Sequence, residues 1–443
     1  MRWFSLAAIA LTLALAAVVL SRSRSDVQTG VVHVTYWEKW TGFEGDAMRA
    51  VVDEFNRRHD RIKVDLLTVS QIDRKMLMAT AGGIPPDIAG LWSQNVHVYA
   101  DKNALTPLDE FLEEAGITEA DYIPAYWRLL KHRGHIWALP TTPATVALHW
   151  NKKLFREAGL DPDRPPQTIE ELDRYAEILT KRDENGEIIQ MGFMPAEPGW
   201  WNWAWGYFFG GKLWDGKSKI TCASPENIRA FRWVQSYAKK YGARQLQTFR
   251  SGFGNFSSPQ NAFLAGKVAM ELQGVWMYNF IDMYTDGFEW GAAPFPHPAD
   301  RPDLKNVTIA EEDVIVIPRG AKHPREAFEF MKFVNSQEGM ELLCLGQRKH
   351  TPLAQVSGEF LRKHPNPYIK VFIDLAFSPN AISTPRMSIW NEYADELANA
   401  FDQIWLCQAT PEEALRRVQE RMQRKLDREI RRFARRGMSY AGD

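Results

Sequence analysis

Short runs of β-branched and aromatic residues alternate with helical-period stretches along most of the chain, and this order limits the fold more than any other feature. Val31-Val32-His33-Val34-Thr35-Tyr36-Trp37 is β-rich and short, the signature of a buried strand. Met48, Val51, Val52 and Phe55 then recur at helical spacing on one apolar face. Ile62, Val64 and Leu66 alternate as a second strand. That order predicts a parallel pair joined by a helical crossover. Thr168 and Glu171 read as a capping box, with Leu172, Tyr175, Ala176 and Leu179 on one helix face. Ser224-Pro225 is an N-cap followed by proline at the first helical position. Val314 to Ile317 is another buried strand, and Ala327, Phe330, Met331 and Val334 mark the helix after it. The class is α/β throughout, with more helix late in the chain.

At 443 residues the chain holds two or three domains or lobes. Lys plus Arg is 54 and Asp plus Glu is 55, a near balance that argues against a nucleic-acid or polyanion binder. Cys222, Cys344 and Cys407 are the only cysteines and form no C-x-x-C. We therefore expect no disulfide scaffold or zinc ribbon, and all three cysteines as small buried hydrophobes. His132 and His135 have i,i+3 spacing, but no third metal ligand is apparent.

Trp3 to Leu20 carries no charge, with Arg2 before it and Arg22 and Arg24 after. It is long enough for a marginal membrane helix, which needs about 20 residues. It is equally compatible with a secretory apolar region. No cysteine near its end permits lipoprotein processing. Residues 1–30 are thus a signal peptide or a membrane anchor plus linker, and the rest of the chain is exported. The expected location is the periplasm or the extracytoplasmic face of the cytoplasmic membrane, with membrane contact through this segment if it stays uncleaved.

The last helix carries Leu415, Val418, Met422, Leu426, Ile430 and Phe433 as an apolar stripe, with many arginines on its other faces. The stripe needs a core, and Glu420, Asp427 and Glu429 dilute the charge. A docked terminal helix with a solvated basic face is favoured over direct contact with anionic lipid or a partner.

Several stretches together resemble one family. Gly82-Gly83-Ile84-Pro85-Pro86-Asp87-Ile88 resembles the G-x-x-PD-[IV] turn of family 1 extracellular solute-binding proteins, the maltose-binding-protein-like receptors of ABC importers. Leu105-Thr106-Pro107-Leu108-Asp109 is similar to their L-x-P-L-D. Gly134 to Pro140 resembles G-K-x-Y-G-x-P, and Trp150 to Gly159 resembles Y-N-K-D-L-F-K-E-A-G. Phe263 to Met270 followed by Gly274-Val275-Trp276 matches F-x-x-G-K-x-A-M and G-x-W. His323 to Ala327, Thr384-Pro385-Arg386-Met387-Ser388 and Pro411 to Leu415 resemble late helix starts and the P-x-M-S loop. Each motif alone is weak; their shared order is specific.

The resemblance implies a type II, maltose-binding-like periplasmic-binding-protein fold, with a hinge between two discontinuous lobes. Lobe 1 is then 31–142 and 298–350, and lobe 2 is 145–294 and 352–443. Crossings are expected near Thr142–Thr145, Pro294–Pro298 and His350–Pro352. It further implies a receptor, without catalytic residue, metal or cofactor, that closes on its ligand and docks on an ABC permease; nothing in the sequence resembles a dimer seam, so a monomer is expected.

Sugar recognition needs flat apolar surfaces and a few polar partners. With 17 tryptophans, the chain supplies the surfaces. Trp37 and Trp40 flank the end of the first strand, and Trp92, Gln94 and Asn95 follow another, where open parallel sheets bind ligands. Trp200 and Trp201 open a run in which Trp201, Trp203 and Trp205 would share a face if it were a strand; Trp205 reads as core. Trp276 matches the G-x-W aromatic and Trp390 the aromatic after P-x-M-S, while Arg386 would serve an anionic group. Core packing is the plain alternative for any single tryptophan. Glu311-Glu312-Asp313 departs from the family, which usually has small residues there; Glu311 is taken as the cleft-facing acid. Neutral oligosaccharide is the favoured ligand, with monosaccharide, polyol and glycerol phosphate open. The other classes are a carbohydrate hydrolase or lyase using these acids with Glu197, and a tethered sugar-sensing subunit.

Overall fold

The computed structural model describes residues 30–435, 437 and 440. The N-terminal apolar segment lies outside the described residues. Among those described, no helix is long and apolar enough to cross a membrane.

The chain opens with β1 (Val32–Glu38), α1 (Gly42–Arg58) and β2 (Ile62–Thr68). β1 and β2 run parallel with Val34 opposite Val64, as the β–helix–β order requires. α2 (Ile72–Ala81) leads to β3 (Ile88–Trp92), and α3 (Pro124–Leu130) precedes the long β4 (Leu139–Asn151). Next come α4 (Ile169–Leu179), β5 (Lys181–Arg182), β6 (Ile188–Phe193), α5 (Pro225–Tyr241), β7 (Val268–Gly274), α6 (Met277–Tyr284) and β8 (Trp290–Ala293). The chain continues through β9 (Thr308–Val316), α7 (Pro324–Val334), α8 (Gln337–Gln347), α9 (Ile369–Ala376) and β10 (Ala381–Ile382). It closes with α10 (Trp390–Trp405) and α11 (Pro411–Ala434).

The strands join in the order β2-β1-β3-β9-β4-β7-β6-β5, with β8 added to β4 and β10 to β9. One group of side chains, including Val34, Phe55, Leu91, Val314 and Phe330, forms a core under β1 to β3. A second, with Val146, Phe193, Trp205, Phe231 and Leu415, forms under β6 and β7. A smaller cluster around Phe263, Phe280, Trp290 and Phe372 covers the other face of β4.

β4 runs from Leu139 of the first core to Val146 of the second, and β9 returns from Ile309 to Val314. The return was expected near Pro294–Pro298. Instead Phe295 is still in the second core, and His297 accepts a backbone bond from Ile169 at 2.9 Å. The third crossing also comes later than His350–Pro352. Leu353 and Phe360 remain in the first core, and the chain reaches the third cluster at Ile369. Proline stiffens these two segments, but packing decides which lobe holds them.

Helix starts follow their caps. Thr168 Oγ1 accepts from Glu171 N at 3.2 Å, although the Glu171 carboxylate reaches Gln167 N rather than closing the box on Thr168. Thr410 and Glu413 form a full reciprocal capping box on α11. Cys222 and Cys344 are buried, but Cys407 is exposed, which corrects the expectation that all three are core. It sits past the end of α10 with a left-handed φ of 57°, where the chain turns outward.

Candidate functional site in the cleft between the lobes

Asp313 is the centre of a buried polar knot where β1, β3 and β9 end or bend. A bulge between Glu312 and Val314 breaks the β9 register on β4 at this point, a device that re-aims side chains. Asp313 Oδ2 accepts from Trp40 Nε1 at 3.0 Å and from Thr142 Oγ1 at 3.1 Å. Its Oδ1 lies 3.2 Å from Lys39 Nζ, and Lys349 Nζ is 3.9 Å from Oδ2. Lys39 also donates to the Leu91 carbonyl at 3.2 Å and pairs with Glu38 at 3.5 Å. Lys349 donates to Glu44 at 2.7 Å. Burial works against the Lys349 ammonium, yet Glu44 and Asp313 hold its pKa above the ordinary value. Tyr36 Oη donates to the buried Glu38 carboxylate. A Cβ on Gly90 would stand 2.4 Å from Glu38 Oε2, so the glycine leaves room for this acid.

Aromatic rings border the knot. Trp40 meets Trp92 edge to face at 6.2 Å, and Lys39 Nζ lies 5.1 and 5.4 Å from their ring centres. A second aromatic group stands on the other lobe. Trp200 lies 5.5 Å from Trp201, 4.2 Å from Phe256 and 5.8 Å from Trp276. Trp201 lies 5.9 Å from Trp276. Trp200 is 41% exposed, which is unusual for so large an apolar side chain. Phe43, at the start of α1, touches Phe280, which touches Phe256. This chain of rings links the two lobes.

The acidic run on β9 divides between faces, as strand geometry demands. Glu311 accepts from Ser93 Oγ at 2.7 Å and from the Thr384 amide. Burial raises its pKa, with the Thr384 N–H and the Ser93 hydroxyl pulling the other way. Glu312 is 2% exposed, and neither of its oxygens has a partner among the described residues. Burial pushes its carboxyl well above the usual range, and Glu311 and Asp313 add to the shift. The folded state therefore holds this proton more tightly than the unfolded one. Stability from Glu312 is complete below the ordinary carboxyl range and falls as pH rises above it. Urea midpoints should show Glu312→Gln close to wild type at pH 5. At pH 8 the variant should be more stable, by about 1–3 kcal/mol. A variant weaker at both pH values would contradict this.

Several expected site residues lie elsewhere. Trp390 is 3% exposed and packs edge-on against Trp203 at 5.0 Å, so it is core. The Arg386 guanidinium donates to the Arg128 and Lys131 carbonyls, both at 3.1 Å, bracing the end of α3. Trp37 packs on the first core, and its neighbours Tyr36 and Glu38 point to the opposite strand face. Asn95 is buried and Gln94 half-buried in the turn after β3. The run 200–204 is a series of turns into a 3-10 helix at Trp205–Phe209, so Trp201, Trp203 and Trp205 share no strand face. Trp205 is core as expected. His132 and His135 bond to different acids, Asp101 at 2.8 Å and Asp109 at 3.0 Å.

Sequence reasoning did not select Lys39, Lys349, Glu44, Phe43 or Phe256. Lys39 had a local signal, lying between Glu38 and Trp40; the others meet the site only through the fold. Two surface hollows of about 570 and 530 Å³ lie away from all of these rings, so chemistry rather than hollow size identifies the cleft.

A two-lobed α/β receptor fold, with rings and a buried polar knot between its lobes, defines a periplasmic binding protein of the maltose-binding-like class. The chain belongs to the bacterial extracellular solute-binding protein family, whose profile matches residues 43–341. That family comprises solute-binding receptors rather than enzymes. Over 69% of its length the chain is 23% identical to the sn-glycerol-3-phosphate-binding periplasmic protein UgpB of Pectobacterium atrosepticum, covering 70% of it. Over 61% of its length it is 22% identical to the maltotriose-binding protein of Pyrococcus abyssi, and it spans only 55% of that protein. Among solved structures, CpMnBP1 with mannobiose bound is 29% identical, with a TM-score of 0.78 over 88% of this chain and 98% of that one. Lmo0181 of Listeria monocytogenes in complex with cycloalternan shares the fold at 20% identity, with a TM-score of 0.74 over 90% and 99%.

Proposed function

We propose that the chain is the monomeric, extracytoplasmic receptor of an ABC importer, and that it closes on an oligosaccharide and delivers it to the permease. The observation that carries this reading is the pair of aromatic groups, Trp40 with Trp92 on one lobe and Trp200, Trp201 and Trp276 on the other. Rings on both sides suit the C–H faces of linked sugars, and a ligand touching both lobes favours the closed state. The similarity to CpMnBP1, solved with mannobiose and with mannotriose, makes mannose oligomers the first ligands to test. The N-terminal apolar segment would direct export.

Charge favours a neutral ligand over the glycerol phosphate of the UgpB relatives. In the knot, Lys39 and Lys349 are set against Glu38, Glu44 and Asp313, so no cation is left over for a phosphate. An anion would also meet Glu311 nearby. Small-angle scattering tests the closure. Mannotriose should contract the full chain, whereas sn-glycerol 3-phosphate should leave it unchanged. Contraction by the phosphate alone would reverse the assignment.

A further inference from the structure

The helix α11 presents a row of positive charge that neither the fold nor the cleft uses. Its apolar stripe, Leu415, Met422, Leu426 and Phe433, is buried in the second core. On the opposite side, Arg424, Arg428, Arg431 and Arg435 follow one another at helical spacing, all exposed. They line one face over about 16 Å. The cations flanking this row are engaged: Arg417 with Gln403, Arg421 with Glu396, Lys425 with Glu392 and Arg432 with Glu429. The four arginines of the row have no acid within ion-pair distance among the described residues. Glu420 and Asp427 lie one turn from Arg424 and Arg431 and offset part of their mutual repulsion, but the row keeps four cations against these two acids and so leaves an excess of positive charge facing solvent.

We propose that this row rests on the anionic headgroups of a lipid bilayer. The buried stripe cannot also enter the bilayer, so contact is electrostatic and stays at headgroup level. A bilayer fits better than an acidic protein face. Protein interfaces centre on buried aromatic and aliphatic anchors, and α11 exposes no large apolar side chain. Evenly spaced flexible guanidinium groups on a convex helix match a plane of phosphates.

The inference rests on the extracytoplasmic reading above only for bringing the chain near a membrane. Cys407, the one exposed cysteine of the three, lies just before α11 and accepts a fluorescent donor. The full chain is mixed with vesicles carrying an acceptor lipid, with and without phosphatidylglycerol. Wild type should show energy transfer that rises with phosphatidylglycerol and falls with added salt. In R424Q/R428Q/R431Q/R435Q the phosphatidylglycerol-dependent affinity should fall by about fivefold per arginine. Both chains keep the N-terminal segment, so attachment through it cancels. Mannotriose binding, read on the same samples, shows that the variant is folded and judges the receptor reading separately. Transfer indifferent to phosphatidylglycerol, or unchanged in the variant, would overturn the proposal; retention by an acidic protein instead would reassign the row.

Discussion

Replacing Asp313 with alanine should cost the protein about 3 kcal/mol or more of stability, at the lower end of what breaking a buried ion pair costs. The side chains of Lys39 and Lys349 are only 4% and 3% exposed. Without Asp313, each ammonium keeps a single carboxylate, Glu38 or Glu44. Trp40 Nε1 and Thr142 Oγ1 lose their acceptor as well. A fall in Tm of roughly 10 °C follows for lobes of this size. Asp313→Asn keeps an oxygen for Trp40 and Thr142 but removes the charge, so it should fall between. Lys349→Met in the alanine background should recover part of the loss, because it removes one stranded cation. Thermal unfolding of the three variants tests the scheme. An Asp313→Ala protein as stable as wild type would show that the knot holds nothing together.

Replacing Trp276 with alanine should weaken oligosaccharide binding about a hundredfold while leaving the fold intact. Trp276 is half-buried at the edge of the third cluster and its ring stands near both Trp200 and Trp201, so its removal takes a ring from the proposed binding face and only trims the margin of a core. Truncating an aromatic anchor at the centre of an interface typically costs 2 kcal/mol or more. Trp390→Ala is the contrasting variant. Its ring is buried against Trp203 and Tyr393, and its loss should cost about 3–5 kcal/mol of stability. Calorimetric titration with mannotriose, paired with unfolding curves, separates the two. Equal effects on affinity would contradict the division between cleft and core.

The α/β class was legible because local signals agree: β1 and β2 carry strand patterns, α1 an apolar face, and Thr168 and Ser224 stand at helix starts. Motif order identified the family, but proline-rich motifs misplaced two crossings, since lobe membership is a matter of packing. Phe295 shows this, being adjacent to Pro294 yet deep in the second core. Of the expected rings, Trp40 meets Trp92, and Trp200, Trp201 and Trp276 meet one another in a separate group. Trp390 looks the same in sequence and is core. A tryptophan's surroundings come from distant segments, and no local pattern distinguishes a ring that faces ligand from one that faces Trp203. Likewise the importance of Asp313 depends on Lys349, which is far away in the chain and joined to it only by the fold.

The most direct test of the account is intrinsic tryptophan fluorescence of the full chain titrated with mannobiose, mannotriose, maltotriose and sn-glycerol 3-phosphate, with each sugar recovered and analysed afterwards. A saturable change with an oligosaccharide that is recovered unaltered, and silence with the phosphate, is the predicted result. Cleavage of a sugar, or saturation by glycerol phosphate while every oligosaccharide stays silent, would contradict it.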